Sequence, residues 1–160
     1  MKNKFDVDYF IKKFSAIPEE DWCVNTFRIP VNVKRQTKKT FLGIPYTSTE
    51  IITRDTFCAQ GHCMGNKNIV DYIDDKRKIF ALTQISKSYP EWNALINFFG
   101  TYIEKEDIKK LTIAQINNGE HPDYQQPTAK QRVLKALYDL KEKESKDVSA
   151  SVISKDLILN

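Results

Sequence analysis

Apolar residues recur at helical spacing near the start of the chain. Val7, Phe10, Ile11 and Phe14 fall at i, i+3, i+4 and i+7, the core-facing stripe of an amphipathic helix over residues 6–16. Asp6 is placed to cap its first amides, and Pro18 stops it two residues past Ala16. The period then changes. Trp22, Val24 and Thr26 alternate against Cys23, Asn25 and Phe27, which predicts a strand over 22–29 with bulk on both faces. Between two β-like segments lies the run Lys34-Arg35-Gln36-Thr37-Lys38-Lys39, and residues 46–53 are rich in Thr and Ile. The pair is predicted as a hairpin with a long basic tip. In the alternative, the run is a solvated loop that keeps an edge strand from pairing.

Residues 55–64 are predicted to open a helix capped by Asp55 or Thr56 and closed by Gly65-Asn66. A less regular helical region follows over 69–87. Pro90 begins another helix at the position where proline fits best. Trp92, Leu95, Ile96 and Phe99 give that helix an apolar side, and Gly100 ends it. Residues 104–117 carry Ile108, Leu111, Ile113 and Ile116 and are predicted helical, with 111–116 as a strand in the alternative; Asn118-Gly119 then turns or stops the chain. The last helix has the clearest signal. Thr128-x-x-Gln131 is a capping box, and Val133, Leu134, Leu137 and Leu140 form the buried stripe. From Lys141 onward the chain is highly charged, with a final apolar patch over 152–159. The pattern predicts a helix-dominated α+β fold: one globular domain over 1–143 with a small antiparallel sheet from residues near 22–29 and 40–54, and a polar tail over 144–160.

Composition narrows the classes without choosing one. The 160 residues are 41% hydrophobic, 11% aromatic and 29% charged, which argues against disorder and collagen-like repeats. No stretch approaches the roughly 20 apolar residues of a membrane span, and the first residues have no signal-peptide core. A cytoplasmic protein with no membrane partner is expected. The net charge of +4 is below that of a dedicated DNA-binding domain; it suits a small anionic ligand better than nucleic acid. Cys23, Cys58 and Cys63 are odd in number, which disfavours a disulfide framework and fits a reducing compartment. No phosphate-binding loop, dinucleotide fingerprint, nucleophile elbow or His-Glu-x-x-His is present.

Both histidines and two of the three cysteines lie in two polar clusters, residues 57–65 and 116–128. Three chemistries can be built from them. For catalysis, Cys58 would be the nucleophile, His121 or His62 the base, and Asn117 or Asn118 the orienting amide. For metal binding, Cys58, His62, Cys63 and His121 supply donors, but no second Cys-x-x-Cys or His-x-x-x-His completes a zinc signature; no metal or other cofactor is expected. For ligand binding, Gly61 permits close backbone approach and His62 offers a hydrogen bond. Asn117 and Asn118 present amides, Tyr124 a stacking face, and Thr128, Lys130 and Arg132 an anion site at a helix start. The bland alternative is that Asn-Gly turns the chain and Thr128 caps its helix.

Taken together, Ile17-Pro18-Glu19-Glu20-x-Trp22, Cys58-Ala59-x-Gly61-His62-Cys63, Ile116-Asn117-Asn118-Gly119 and Tyr124-Gln125-Gln126-Pro127-Thr128-x-Lys130-x-Arg132 resemble small uncharacterised proteins of bacteriophages and bacterial mobile elements. In those the third motif more often reads Asn-Asp-Gly, so Asn118 departs from the pattern. The resemblance covers roughly residues 10–140 and implies a phage context in the bacterial host cytosol, with no assigned activity. The expected function is a non-enzymatic phage-type protein that binds a small anionic or nucleotide-like ligand, such as a host immune signal it sequesters in counter-defence. The alternative is a cysteine-dependent hydrolase or transferase. In either case the two clusters are expected to lie together, and a homo-oligomer is compatible with such a site.

Overall fold

Asp6 starts the first helix through its side chain, whose Oδ1 accepts a hydrogen bond from the Tyr9 amide at 2.9 Å. That helix, α1 (Val7–Ala16), buries Val7, Phe10 and Phe14 and ends at Ile17, ahead of Pro18. It belongs to a computed structural model that describes residues 3–64, 85–105 and 109–158, with side chains described as far as 155. The fold is α+β with helices predominating and, among the described residues, two separate two-stranded antiparallel sheets. The helical region predicted over 69–87 falls almost wholly outside the described residues.

A 3-10 turn (Glu19–Asp21) leads from α1 toward the first sheet. The strand predicted at 22–29 does not form there. Trp22 makes only an isolated bridge with Phe57, and Asn25 turns the chain at a φ of 65°, so the extended run starts later. Strand β1 (Arg28–Phe41) pairs with β2 (Ile44–Phe57) along its whole length, from Arg28 opposite Phe57 to Phe41 opposite Ile44. The basic run therefore lies inside β1 rather than at the tip. The tip is Leu42-Gly43, both at positive φ (50° and 77°), a two-residue turn of the type whose twist matches paired strands. Both faces of this ribbon meet water, so it carries no period-2 alternation from which to read its length.

The helix predicted over 55–64 forms only in its last turn: residues 55–57 finish β2, and 58–60 turn the chain. The Cys58 amide donates to the Phe27 carbonyl at 3.1 Å, and the Thr56 hydroxyl to the Ile29 carbonyl at 2.9 Å. These bonds hold the extended register to its end, leaving a single helical turn, α2 (Gly61–Met64). Helix α3 (Pro90–Phe99) matches its prediction, with Trp92, Leu95 and Ile96 buried and Gly100 closing it at a φ of 68°. The predicted 104–117 helix divides. Strands β3 (Thr101–Ile103) and β4 (Lys109–Leu111) pair first, and only then does α4 (Thr112–Asn118) begin. Tyr102 is half-buried on β3 opposite Lys110.

Helix α5 (Ala129–Ile158) starts where predicted, with the Thr128 hydroxyl accepting from the Gln131 amide at 3.2 Å. It runs antiparallel to α1. Lys130 Nζ donates to the Ser15 carbonyl (3.0 Å) at one end, and Lys141 pairs with Asp8 (2.6 Å) at the other. Past that point α1 gives out, and every residue from 141 to 155 is exposed. The polar tail is thus solvated, as its charge suggests, but helical. Phe10, Phe14, Trp92, Leu95, Ile113, Ile116, Val133 and Leu137 are fully buried and form the core between α1, α3, α4 and α5. Each such side chain contributes about 1.5–3 kcal/mol by leaving water. No helix among the described residues is long and apolar enough to cross a membrane.

Candidate functional site

The two polar clusters meet at Asn117. Buried on α4, its Oδ1 accepts from the Ala59 amide and its Nδ2 donates to the Cys23 carbonyl, both at 3.0 Å. Next to it, Asn118 Oδ1 accepts from the Asn25 amide at 2.8 Å. These two side chains stitch the 22–28 segment and the end of β2 to α4. A cleft of about 100 Å³ opens there, lined among others by Asn25, Cys58, Gln60, Asn117 and Asn118. Gln60 was not singled out from the sequence; its Oε1 accepts from the Trp92 indole at 3.0 Å. An indole expected in the core needs a buried acceptor, and that is the only sequence signal that points to Gln60. Small-molecule sites enclose roughly 300–1,000 Å³, so this cleft has room for a few waters and not for a nucleotide.

Gly61 permits a close backbone approach, as its place in the motif suggests, but the approaching backbone is the protein's own. A Cβ there would stand 2.4 Å from the Phe27 carbonyl oxygen. Cys58 is buried, its sulfur accepting from the Gly61 amide at 3.4 Å, and burial pushes its thiol up to about 12. An activated nucleophile needs the opposite shift. Burial also raises Cys23 and Cys63. The two histidines are engaged elsewhere. His62 packs between the rings of Trp22 (4.9 Å) and Phe57 (5.4 Å), and its burial lowers its pKa to about 4. His121 lies in the loop after α4, where Nδ1 accepts from the Asp123 amide at 3.2 Å and the ring packs against Tyr124 at 4.9 Å, tilted by 47°. Cys58 and Asn117 come together, therefore, without a histidine hydrogen-bonded to the thiol. Cys58, His62, Cys63 and His121 form no metal cluster; among the described residues no group of three or more donors does.

The start of α5 carries the residues of the expected anion site, and its cations point away from it. Arg132 is buried. Its Nε donates to the Ile116 carbonyl (3.0 Å), Nη2 to that of Asn117 (2.6 Å), and Nη1 to those of Gln126 (2.9 Å) and Pro127 (3.3 Å). Ile116 and Asn117 belong to the last turn of α4, whose free carbonyls are the negative end of the helix dipole. Arg132 thus caps α4, and its guanidinium covers Gly119, which ends that helix at a φ of 77°. Lys130 does the same for α1 through the Ser15 carbonyl. Thr128 caps its own helix, and Tyr124 rests against the edge of the core, where burial and Asp139 raise its hydroxyl pKa. The eight residues expected to hold a ligand are in large part holding the chain.

The net charge lies on the hairpin. Of the 25 Lys and Arg and the 21 Asp and Glu, β1, the turn and β2 hold six and two, which leaves nineteen of each elsewhere. The whole formal excess of +4 belongs to the ribbon. Every residue from 34 to 53 is exposed except the facing pair Thr37 and Ser48. At the base, Arg54 Nε sits 3.0 Å from Asp21 Oδ1. Directly paired residues share a face. One face carries Asn32, Lys34, Gln36 and Lys38 opposite Thr53, Ile51, Thr49 and Thr47, with no acidic residue among them. The other carries Arg35, Lys39 and Glu50, the last two paired at 3.2 Å. Composition hid this concentration because averaging over the chain dilutes it.

No family model matches the chain, and it matches no curated protein and no solved structure.

Proposed function

We propose that the protein is a non-enzymatic binding protein that engages an anionic partner on the outer surface of its hairpin. The observation that carries this reading is the confinement of the entire positive excess to a ribbon whose outer part is exposed on both faces. A two-stranded ribbon is marginal in water by itself. Arg28, Lys39 and Arg54 pair with carboxylates, but Lys34, Arg35 and Lys38 crowd like charge onto the exposed part, so neither the ribbon's length nor that cluster serves folding. The resemblance to small phage and mobile-element proteins supports action in a bacterial host. Sequestration of a nucleotide-like host signal in a pocket draws less support, because the cleft is small and Arg132 and Lys130 are engaged by carbonyls. The cysteine-enzyme reading draws less support still from a thiol near 12.

Trimming the ribbon tests this directly. Val33 faces Ile52, so replacing residues 34–51 by Asn-Gly recloses the hairpin with a turn suited to it. The trimmed chain is expected to keep its circular dichroism and its melting transition but to lose retention on a heparin column that the full chain shows at low salt. Equal retention of the two chains would sink the proposal.

A further inference from the structure

We infer that the partner of the hairpin is double-stranded DNA, gripped by the Lys34/Lys38 face with the Leu42 tip leading. The inference rests on the proposal that the hairpin is the binding surface, and it names what that surface fits. The major groove of B-form DNA, about 12 Å wide, admits a two-stranded ribbon, whereas the deep, narrow major groove of duplex RNA does not. The outer stretch of that face, from Asn32 to Lys38, has no carboxylate and has the composition that such contacts use. Lysines neutralise phosphates, and Asn, Gln and Thr side chains bond to phosphate oxygens and base edges. Lys34 and Lys38 are four residues apart on one strand, about 13 Å, so each can reach one wall of the groove. Across the ribbon they face Ile51 and Thr47 rather than a carboxylate. Single strands are held chiefly by aromatic platforms, and the stretch of this face from Asn32 to Lys38 and Thr47 to Thr53 has none.

The tip adds an independent observation. Leu42 is 85% exposed and sits at a φ of 50°, a conformation in which a bulky side chain is out of place. Asn or Gly would turn the chain without strain and without presenting an apolar side chain to water. Phe41 and Ile44, facing each other beside it, are 68% and 69% exposed. In the major groove the thymine methyls offer an apolar contact that such side chains can meet. A strained, exposed leucine at that point is a cost to folding that contact with the groove floor explains.

The test is fluorescence anisotropy of labelled random-sequence duplex DNA titrated with the full chain over a range of salt. Binding is expected at low salt, about 50 mM, with affinity falling steeply as salt rises. Lys34→Ala with Lys38→Ala is expected to weaken binding at least about ten-fold and to lower the log–log salt slope by about 2. Lys143→Ala with Lys155→Ala removes the same charge from the exposed part of α5 and is expected to change neither. Heparin retention without duplex binding would overturn the DNA inference and leave the hairpin proposal standing. So would tighter binding to duplex RNA, or equal losses from the two lysine pairs. A dimer in sedimentation that Phe41→Ser with Leu42→Ser dissociates, in a chain that does not bind DNA, would assign the tip to a second copy instead.

Discussion

The helical body and the ribbon solve opposite problems with one chain. In the body, charge is turned inward to finish the backbone: Arg132 caps α4, Lys130 caps α1, and Asn117 ties two segments to a third. Its core side chains, among them Phe10, Phe14, Trp92, Ile113 and Leu137, are fully buried. On the ribbon the charge is turned outward and the apolar side chains go with it, with Phe41, Leu42, Ile44 and Ile51 all more than two-thirds exposed. A polar side chain in the body is there because a buried carbonyl or amide needs it. On the exposed ribbon from 34 to 53 no such need exists, so its residue types point to something outside the chain. The motif words that look most like a site sit in the body, and the segment that reads as a plain solvated run carries the net charge.

The largest expected effect breaks the body. Arg132→Met keeps much of the side chain's volume but leaves the Ile116, Asn117 and Gln126 carbonyls without their donor. Urea unfolding is expected to show a loss of about 3 kcal/mol. A variant as stable as the parent would return Arg132 to the role of a ligand-binding cation.

A smaller effect follows from His62, half-buried between two rings in the body. Its pKa of about 4 in the fold lies below the ordinary 6.5, so the unfolded chain binds a proton that the folded chain refuses between these values. The stability gained by keeping it neutral is therefore complete above pH 6.5 and is lost as pH falls toward 4. After allowance for its partial exposure, the change amounts to roughly 2 kcal/mol. Comparing the parent with His62→Phe by urea unfolding at pH 7 and pH 4 isolates it. An identical pH dependence in both chains would mean that His62 takes up its proton in the fold.

The smallest effect sharpens the contrast, because it has the opposite sign. Leu42→Asn on the ribbon suits the turn better and is expected to raise stability by about 1 kcal/mol, read as a higher melting temperature. Lower stability would mean that Leu42 serves the fold after all, and the two regions would no longer differ in kind.

Much of the body was determined by the sequence alone. The stripes Val7–Phe10–Phe14 and Val133–Leu137, the caps at Asp6 and Thr128, and the stops at Pro18 and Gly100 are local signals. A helix's period, its cap and its terminator lie within a few residues of one another. The α+β class followed from those stripes together with the β-rich 46–53 segment. Tertiary structure decided the rest. Whether residues 55–57 continue a strand or open a helix depends on the Phe27 and Ile29 carbonyls that Cys58 and Thr56 reach. Whether Arg132 meets an anion or the end of α4 depends on where α4 stops, and the same amides and guanidinium serve either purpose. The ribbon's register depends on a partner strand and a turn, since a strand wet on both faces has no core to impose alternation upon it. Hydrophobic burial writes itself into a sequence as a period; hydrogen bonds between distant segments leave no period, and only the folded chain shows which partner each polar group has taken.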